Sequence, residues 1–186
     1  MSEEKDAAEL IKGTGVVAGV AYADAVWVRP RPELPQAGET IADDAKDAEF
    51  ERFVAAAEVV AQRLSERADS VDGNAAEVLT ATAKMVKDRG WHKAVRRNIK
   101  SGHSADYAVV AATEKFVTMF NAAGGVMAER TTDLKDVRDR TIAELRGEEE
   151  PGLPYVAGEA VLCADDLAPA DTCLLYTSPS PRDRTR

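Results

Sequence analysis

TIADDAKDAEFERFVAAAEVVAQRLSERAD, residues 40–69, decides the fold class. Its apolar residues Phe50, Phe53, Val54, Ala57, Val60, Ala61 and Leu64 recur three and four apart, with charged residues between them. That period predicts one long amphipathic helix ending near Asp69. An apolar stripe of this kind must be covered, so partner helices are required. The chain supplies them downstream. Gly73-Asn74 can break the chain and cap a second helix carrying Val78, Leu79, Ala81, Met85 and Val86. Asp88-Arg89-Gly90 interrupts it before a third around Trp91, Val95 and Ile99, which Ser101-Gly102 ends. Ser104 is the predicted N-cap of a fourth helix through Tyr107, Val110, Val117 and Phe120, its hydroxyl accepting from the first free amides. After a turn at Gly124-Gly125, a last helix carries Met127, Leu134, Val137, Thr141 and Leu145, with Gly147 placed as its C′ residue.

Outward from this helical block the pattern changes. Residues 15–28, GVVAGVAYADAVWV, alternate and are rich in Val and Ala, bounded by Gly13 and Pro30. They read as one strand, or two short ones bent at Gly19. Residues 158–167, GEAVLCADDL, read as a strand again. Two prolyl linkers, RPRPELPQAG at 29–38 and EEEPGLPYVA at 148–157, bracket the helices. Such linkers mark boundaries that few contacts cross. The division read from this pattern is an acidic leader at 1–12, first strands and linker at 13–37, and a helical unit at 38–147. A linker and returning strand follow at 148–172, then a tail at 173–186. The tail, CLLYTSPSPRDRTR, is rich in Ser, Pro and Arg and has no apolar period, so it is predicted to be disordered and is expected to be a non-native end.

Composition narrows the function classes. Apolar residues make up 45% of the 186, enough for a buried core, and aromatics only 5%, which suits helices packed through small residues. The formal charge of −9 opposes binding to a phosphate backbone, so nucleic acid is not an expected partner. No apolar run reaches the length of a membrane span. The start, MSEEKDAAELIK, is charged and lacks the apolar core of a signal peptide. Cys163 and Cys173 match no metal-ligand spacing, and two cysteines make no disulfide framework. The expectation is a cytoplasmic protein with reduced thiols and no membrane contact.

Candidate chemistry is sparse. The two histidines are His92, in the basic run WHKAVRRNIK, and His103, between Gly102 and Ser104. The first reads as a solvated residue on a basic helix face, the second as a turn residue. Asp165-Asp166 sit at a strand end, where neighbouring side chains point apart, so they are not expected to chelate a metal. In residues 128–140, AERTTDLKDVRDR, the charges at Asp133, Asp136 and Arg140 are spaced to pair with one another along a solvated helix face.

Three segments together carry a resemblance: IKGTGVVAGVAYADAVWV at 11–28, AERTTDLKDVRDR at 128–140 and GEAVLCADDLAPADT at 158–172. In order and spacing they resemble the amino-terminal part of Enzyme I, the phosphoenolpyruvate–protein phosphotransferase of the bacterial sugar phosphotransferase system. The resemblance covers about residues 11–172. It implies a mixed α and β fold, in which a four-helix-type subdomain is inserted into an incomplete α/β swivelling phosphohistidine domain. That subdomain binds the histidine-containing phosphocarrier protein, HPr. The family enzyme takes phosphoryl from phosphoenolpyruvate with Mg²⁺, holds it on a His of a Gly-Gly-x-Thr-Ser-His loop and passes it to HPr.

No such loop occurs in these 186 residues. The expectation is therefore a fragment with no catalytic residue, no metal ligand and no cofactor of its own, inactive by itself and without the family's dimerisation region. What it would retain is HPr docking. The resemblance places that docking at Leu79, Thr82, Met85 and Val86 of the broken helix pair, residues 75–100, and at Arg130. The family's acidic pair after Asp88 is replaced here by Arg89-Gly90. A phosphoenolpyruvate-utilising enzyme such as pyruvate phosphate dikinase lacks a helical insert like residues 40–147. A stand-alone helical interaction module without catalysis is the alternative outside enzymes.

Overall fold

The computed structural model describes residues 13–15, 18–36, 40–154, 159–165 and 167–176. The first long helix, α1, spans Lys46–Asp69 and is entered through a 3-10 turn at Asp43–Ala45. Its buried stripe is Phe53, Ala56, Ala57, Val60, Ala61, Leu64 and Ala68. The alanines let a second helix lie close. That helix, α2 (Asn74–Val86), follows a short turn and runs back along α1. Gly73 takes φ +63° at the turn, a conformation open to glycine without strain.

Next come α3 (Arg89–Lys100), α4 (Ala105–Ala123), the short α5 (Gly125–Glu129) and α6 (Thr131–Arg146). α4 lies between α3 and α6, and α6 packs back on α1. The predicted last helix is thus two, broken at Arg130. Gly147 ends α6 in the left-handed conformation, φ +67°. The helices close one core in which Leu79, Val86, Val95, Ile99, Val109 and Ile142 have no exposed surface. At its centre the Phe53 ring meets Trp91 edge-on at 5.4 Å. The Trp91 indole Nε1 donates to Thr113 Oγ1 at 3.1 Å, satisfying a polar atom that burial would otherwise strand.

The strands on either side of the helices meet. β1 (Asp24–Trp27) pairs in parallel with β2 (Ala160–Cys163), with Asp24 opposite Ala160 and Trp27 opposite Cys163. The strand predicted over 15–28 is shorter than its pattern. A backbone becomes a strand only where another takes its hydrogen bonds, and β2 reaches only Asp24–Trp27. Val20 and Tyr22 are fully exposed beyond that limit.

A final helix, α7, spans Pro169–Tyr176. This corrects the disorder expected from Cys173 onward: residues 173–176 continue a helix that starts at Pro169, and α7 packs against α2 with Ala170 in the core. Asp171 sits inside that helix, and its carboxylate turns to Arg140. The leader, residues 1–12, and the tail from residue 177 lie outside the described residues. Among the described residues no helix is long and apolar enough to cross a membrane.

Candidate functional site

The break between α2 and α3 is built by Asp88. Its backbone is extended, and its Oδ1 accepts from Trp91 N at 2.8 Å, capping α3. Gly90 is held close here: a β-carbon on it would stand 3.0 Å from the Asp88 carboxylate and 3.6 Å from the Phe116 ring.

Of the five residues expected to make the contact, three are buried. Leu79 and Val86 have no exposed surface and Thr82 only 3%. Thr82 Oγ1 donates to Val78 O at 2.9 Å. On α2 these positions, with Ala83, form the line that faces α1, so they pack the core and present nothing outward. The outward line is Glu77, Thr80 and Lys84, and Val78, Ala81 and Met85 form the half-buried flank between the two. Met85 packs against the core and keeps part of its surface free. The (i,i+3,i+7) relation of Val78, Ala81 and Met85, offset by one from Leu79, is the sequence signal for the accessible apolar line.

Arg130 sits at the junction of α5 and α6 with its side chain 46% exposed, and its Nη1 reaches Asp133 Oδ2 at 3.2 Å. Its guanidinium is therefore oriented but open to solvent on one side.

Neither histidine stands free. His92 is half-buried, its Nε2 2.8 Å from Val86 O and its ring 4.9 Å from that of Phe53, which corrects the solvated-surface expectation. His103 does lie in the turn before α4, with its ring 4.8 Å from that of Tyr107 and its Nδ1 buried without a hydrogen bond. Ser104 occupies the N-cap position but does not cap: its hydroxyl donates to Asp106 Oδ1 at 2.7 Å. The cap comes instead from α1, where Glu49 Oε1 accepts from Ala105 N at 2.7 Å.

On the charged face of α6 the expected Asp136–Arg140 pair forms, Asp133 pairs with Arg130 instead, and the face is not solvated. Asp133, Arg138, Asp139 and Arg140 are all buried. Arg140 Nε donates to Asp136 Oδ2 at 2.8 Å, its Nη1 to Glu150 and its Nη2 to Asp171 Oδ1 at 3.0 Å. Arg67 holds the far side of Glu150 at 2.8 Å. Burial pushes the Glu150 carboxyl up, but Arg140 and Arg67 outweigh it and hold it below the ordinary glutamate range. Asp136 goes the other way: burial raises it more than Arg140 lowers it. Among the described residues no group of three His, Cys, Asp or Glu is placed to hold a metal ion. Asp136, Glu150 and Asp171 converge on the Arg140 guanidinium, which holds the space between them.

Compared with known proteins, residues 12–130 match the family described as PEP-utilising enzyme, N-terminal. Curated relatives named phosphoenolpyruvate-protein phosphotransferase include one from Streptomyces coelicolor, 38% identical over 165 residues, covering 89% of this chain. One from Haloferax volcanii is 34% identical over 168 residues. The chain spans 30% of the length of each. A solution structure of an Enzyme I protein superposes with a TM-score of 0.69 at 27% identity, covering 81% of this chain and 63% of that one.

Proposed function

The chain belongs to the PEP-utilising enzymes and corresponds to their N-terminal domain, and on that premise we propose that it is the phosphocarrier-docking portion of a phosphoenolpyruvate–protein phosphotransferase. The carrying observation is the agreement of a family match over residues 12–130 with a helical fold like that of an Enzyme I protein. It favours this reading over a stand-alone helical module.

In the proposed scheme the whole enzyme moves phosphoryl from phosphoenolpyruvate through a histidine to HPr, the carrier that serves sugar uptake in the cytoplasm. The helical unit is inserted between the two strands of a swivelling α/β domain, and its task is to hold HPr in place for an in-line transfer. Transfer to a bound acceptor depends on positioning more than on covalent chemistry within the docking unit. Met85 supplies the apolar contact and Arg130 an oriented donor for a backbone carbonyl or carboxylate of HPr. Mg²⁺ belongs to the whole enzyme in this scheme, and no step is assigned to that ion in this chain. His92 and His103 serve packing, and neither is assigned the phosphoryl group.

The test is chemical-shift perturbation of the 186-residue protein by HPr from the same organism. Shifts clustered on Val78, Ala81, Met85 and Arg130 are the expected result. A folded protein that shows no shifts at millimolar HPr overturns the reading.

A further inference from the structure

α3 carries five cations, Arg89, Lys93, Arg96, Arg97 and Lys100, and no carboxylate, in a chain of formal charge −9. Elsewhere among the described residues arginines are tied to acids, such as Arg63 to Glu144, Arg67 to Glu150 and Arg146 to Asp106. Among the described residues, none of the five on α3 has an acidic oxygen within 4.0 Å, and neither does Lys115 beside them on α4. The helix itself gains nothing from this arrangement. Like charges three and four apart destabilise a helix. Arg97 and Lys100 suit the negative C-terminal end of α3, but Arg89 and Lys93 oppose its positive N-terminal end.

These cations border a groove of about 820 Å³ between α3 and α4. Lys93, Arg97, Lys100 and Lys115 line it together with apolar surface from Ala94, Phe116 and Met119. Met119 is 53% exposed there. Arg96 also lines the groove and lies over the Phe50 ring at 4.9 Å, which joins it to a smaller basic hollow at Arg89 and His92.

We propose that the α3–α4 groove docks an acidic amphipathic helix of a partner protein. Lys93, Arg97 and Lys100 follow one another at i, i+4 and i+7, a row roughly 10 Å long. A helix with carboxylates at the same spacing meets all three, and one apolar residue between them covers Phe116 and Met119. A compact anion reaches only part of the row and leaves the apolar lining wet. The rest of the chain repels an acidic partner, so this face also fixes its orientation. The inference rests on the groove and its charge, not on the reading of Met85 and Arg130.

The probe is a fluorescein-labelled 18-residue helical peptide with Glu at i, i+4 and i+7 flanking Leu, titrated with the 186-residue protein. Its twin has Lys for every Glu, and sodium tripolyphosphate serves as competitor. Anisotropy should show binding of the Glu peptide only, weakened about tenfold between low and high salt as exposed charge pairs are screened. R97E/K100E should abolish it, the milder R97Q/K100Q should weaken it in a protein whose circular dichroism melt is unchanged, M119S should weaken it at unchanged charge, and K84E should leave it intact. Equal binding of the two peptides overturns the proposal. So does full competition by tripolyphosphate with no effect of M119S, which marks a small-anion site. Self-association in sedimentation that R97Q/K100Q removes also overturns it, by making the occupant a second copy of this chain.

Discussion

Asp171 Oδ1 accepts from Arg140 Nη2 at 3.0 Å, and both side chains are at least 95% buried, so α7 is fastened to α6 by an ion pair inside the protein. Asp136 and Glu150 complete the ring of acids around the same guanidinium. With Arg67 on Glu150, two cations face three carboxylates. The cluster is one charge short of neutrality, in keeping with the raised Asp136.

Removing the shared cation should therefore cost more than removing one acid. Arg140→Met leaves three carboxylates facing each other away from water, and a buried charge stripped of its partner costs about 3–5 kcal/mol. Asp171→Asn keeps an acceptor and should cost about 1–2 kcal/mol, as expected for a weakened charged hydrogen bond. Urea midpoints of the two variants check this order, and a milder Arg140→Met would refute it.

Acid should weaken this cluster and the separate pairs that Glu49 and Asp106 make at the start of α4. Glu49 and Glu150 are held below the ordinary 4.5 of glutamate, and Asp106 below the ordinary 3.8 of aspartate. In each case burial opposes the shift and charged or hydrogen-bonding neighbours win: Arg52 and Ala105 N at Glu49, Ser104 and Arg146 at Asp106. Groups depressed in the folded state stabilise it above their unfolded pKa and lose that contribution as pH falls through the folded value. Asp136, raised by burial, has the opposite sign and recovers a little stability on protonation. The melting temperature should thus fall as pH drops below about 4.5, with Glu150→Gln showing a shallower fall.

Gly152 is a second consequence of the Arg140–Asp171 pair. It has φ +99°, and a β-carbon there would lie 2.7 Å from Asp171 Oδ2 and 2.8 Å from Cγ, with Oδ1 closer still. Gly152→Ala must move the carboxylate off Arg140 as well as strain the backbone, for a loss of about 2–4 kcal/mol. Gly73→Ala shares the positive φ but meets open space, so its cost of about 1–3 kcal/mol is conformational alone. Comparing the two by thermal melts separates the steric part from the conformational part.

The helices were legible because their apolar residues recur at the helical period, and glycines mark the ends at Gly73, Gly124 and Gly147. What periodicity could not show is which neighbour takes each polar group. Ser104 has the right residue type and position for a cap, yet Glu49, 56 positions away, takes the Ala105 amide. Arg140 and Asp136 have the spacing of a surface pair, but α7 and the segment after Gly147 cover them. The residues expected to dock a partner carried the same ambiguity. Leu79 and Met85 are both apolar on one amphipathic helix, and only the packing of α1 and α7 against α2 decides which side faces in.

That distinction predicts a split between stability and affinity. Leu79→Ala removes a side chain with no exposed surface and leaves a cavity, at about 2–5 kcal/mol of folding free energy. Binding of HPr by the fraction still folded should be nearly unchanged. Met85→Ala trims a half-buried side chain, so its stability loss should be smaller, while affinity falls by about 1–2 kcal/mol if Met85 anchors the contact. Arg130→Ala breaks only the partly exposed pair with Asp133, worth about 0–1 kcal/mol to folding, and should weaken HPr binding by about 1–2 kcal/mol. Calorimetric titration of HPr into each variant, beside its urea curve, measures both quantities. If Leu79→Ala lowers the affinity of the folded protein as much as Met85→Ala does, the face of α2 assigned to the partner is wrong.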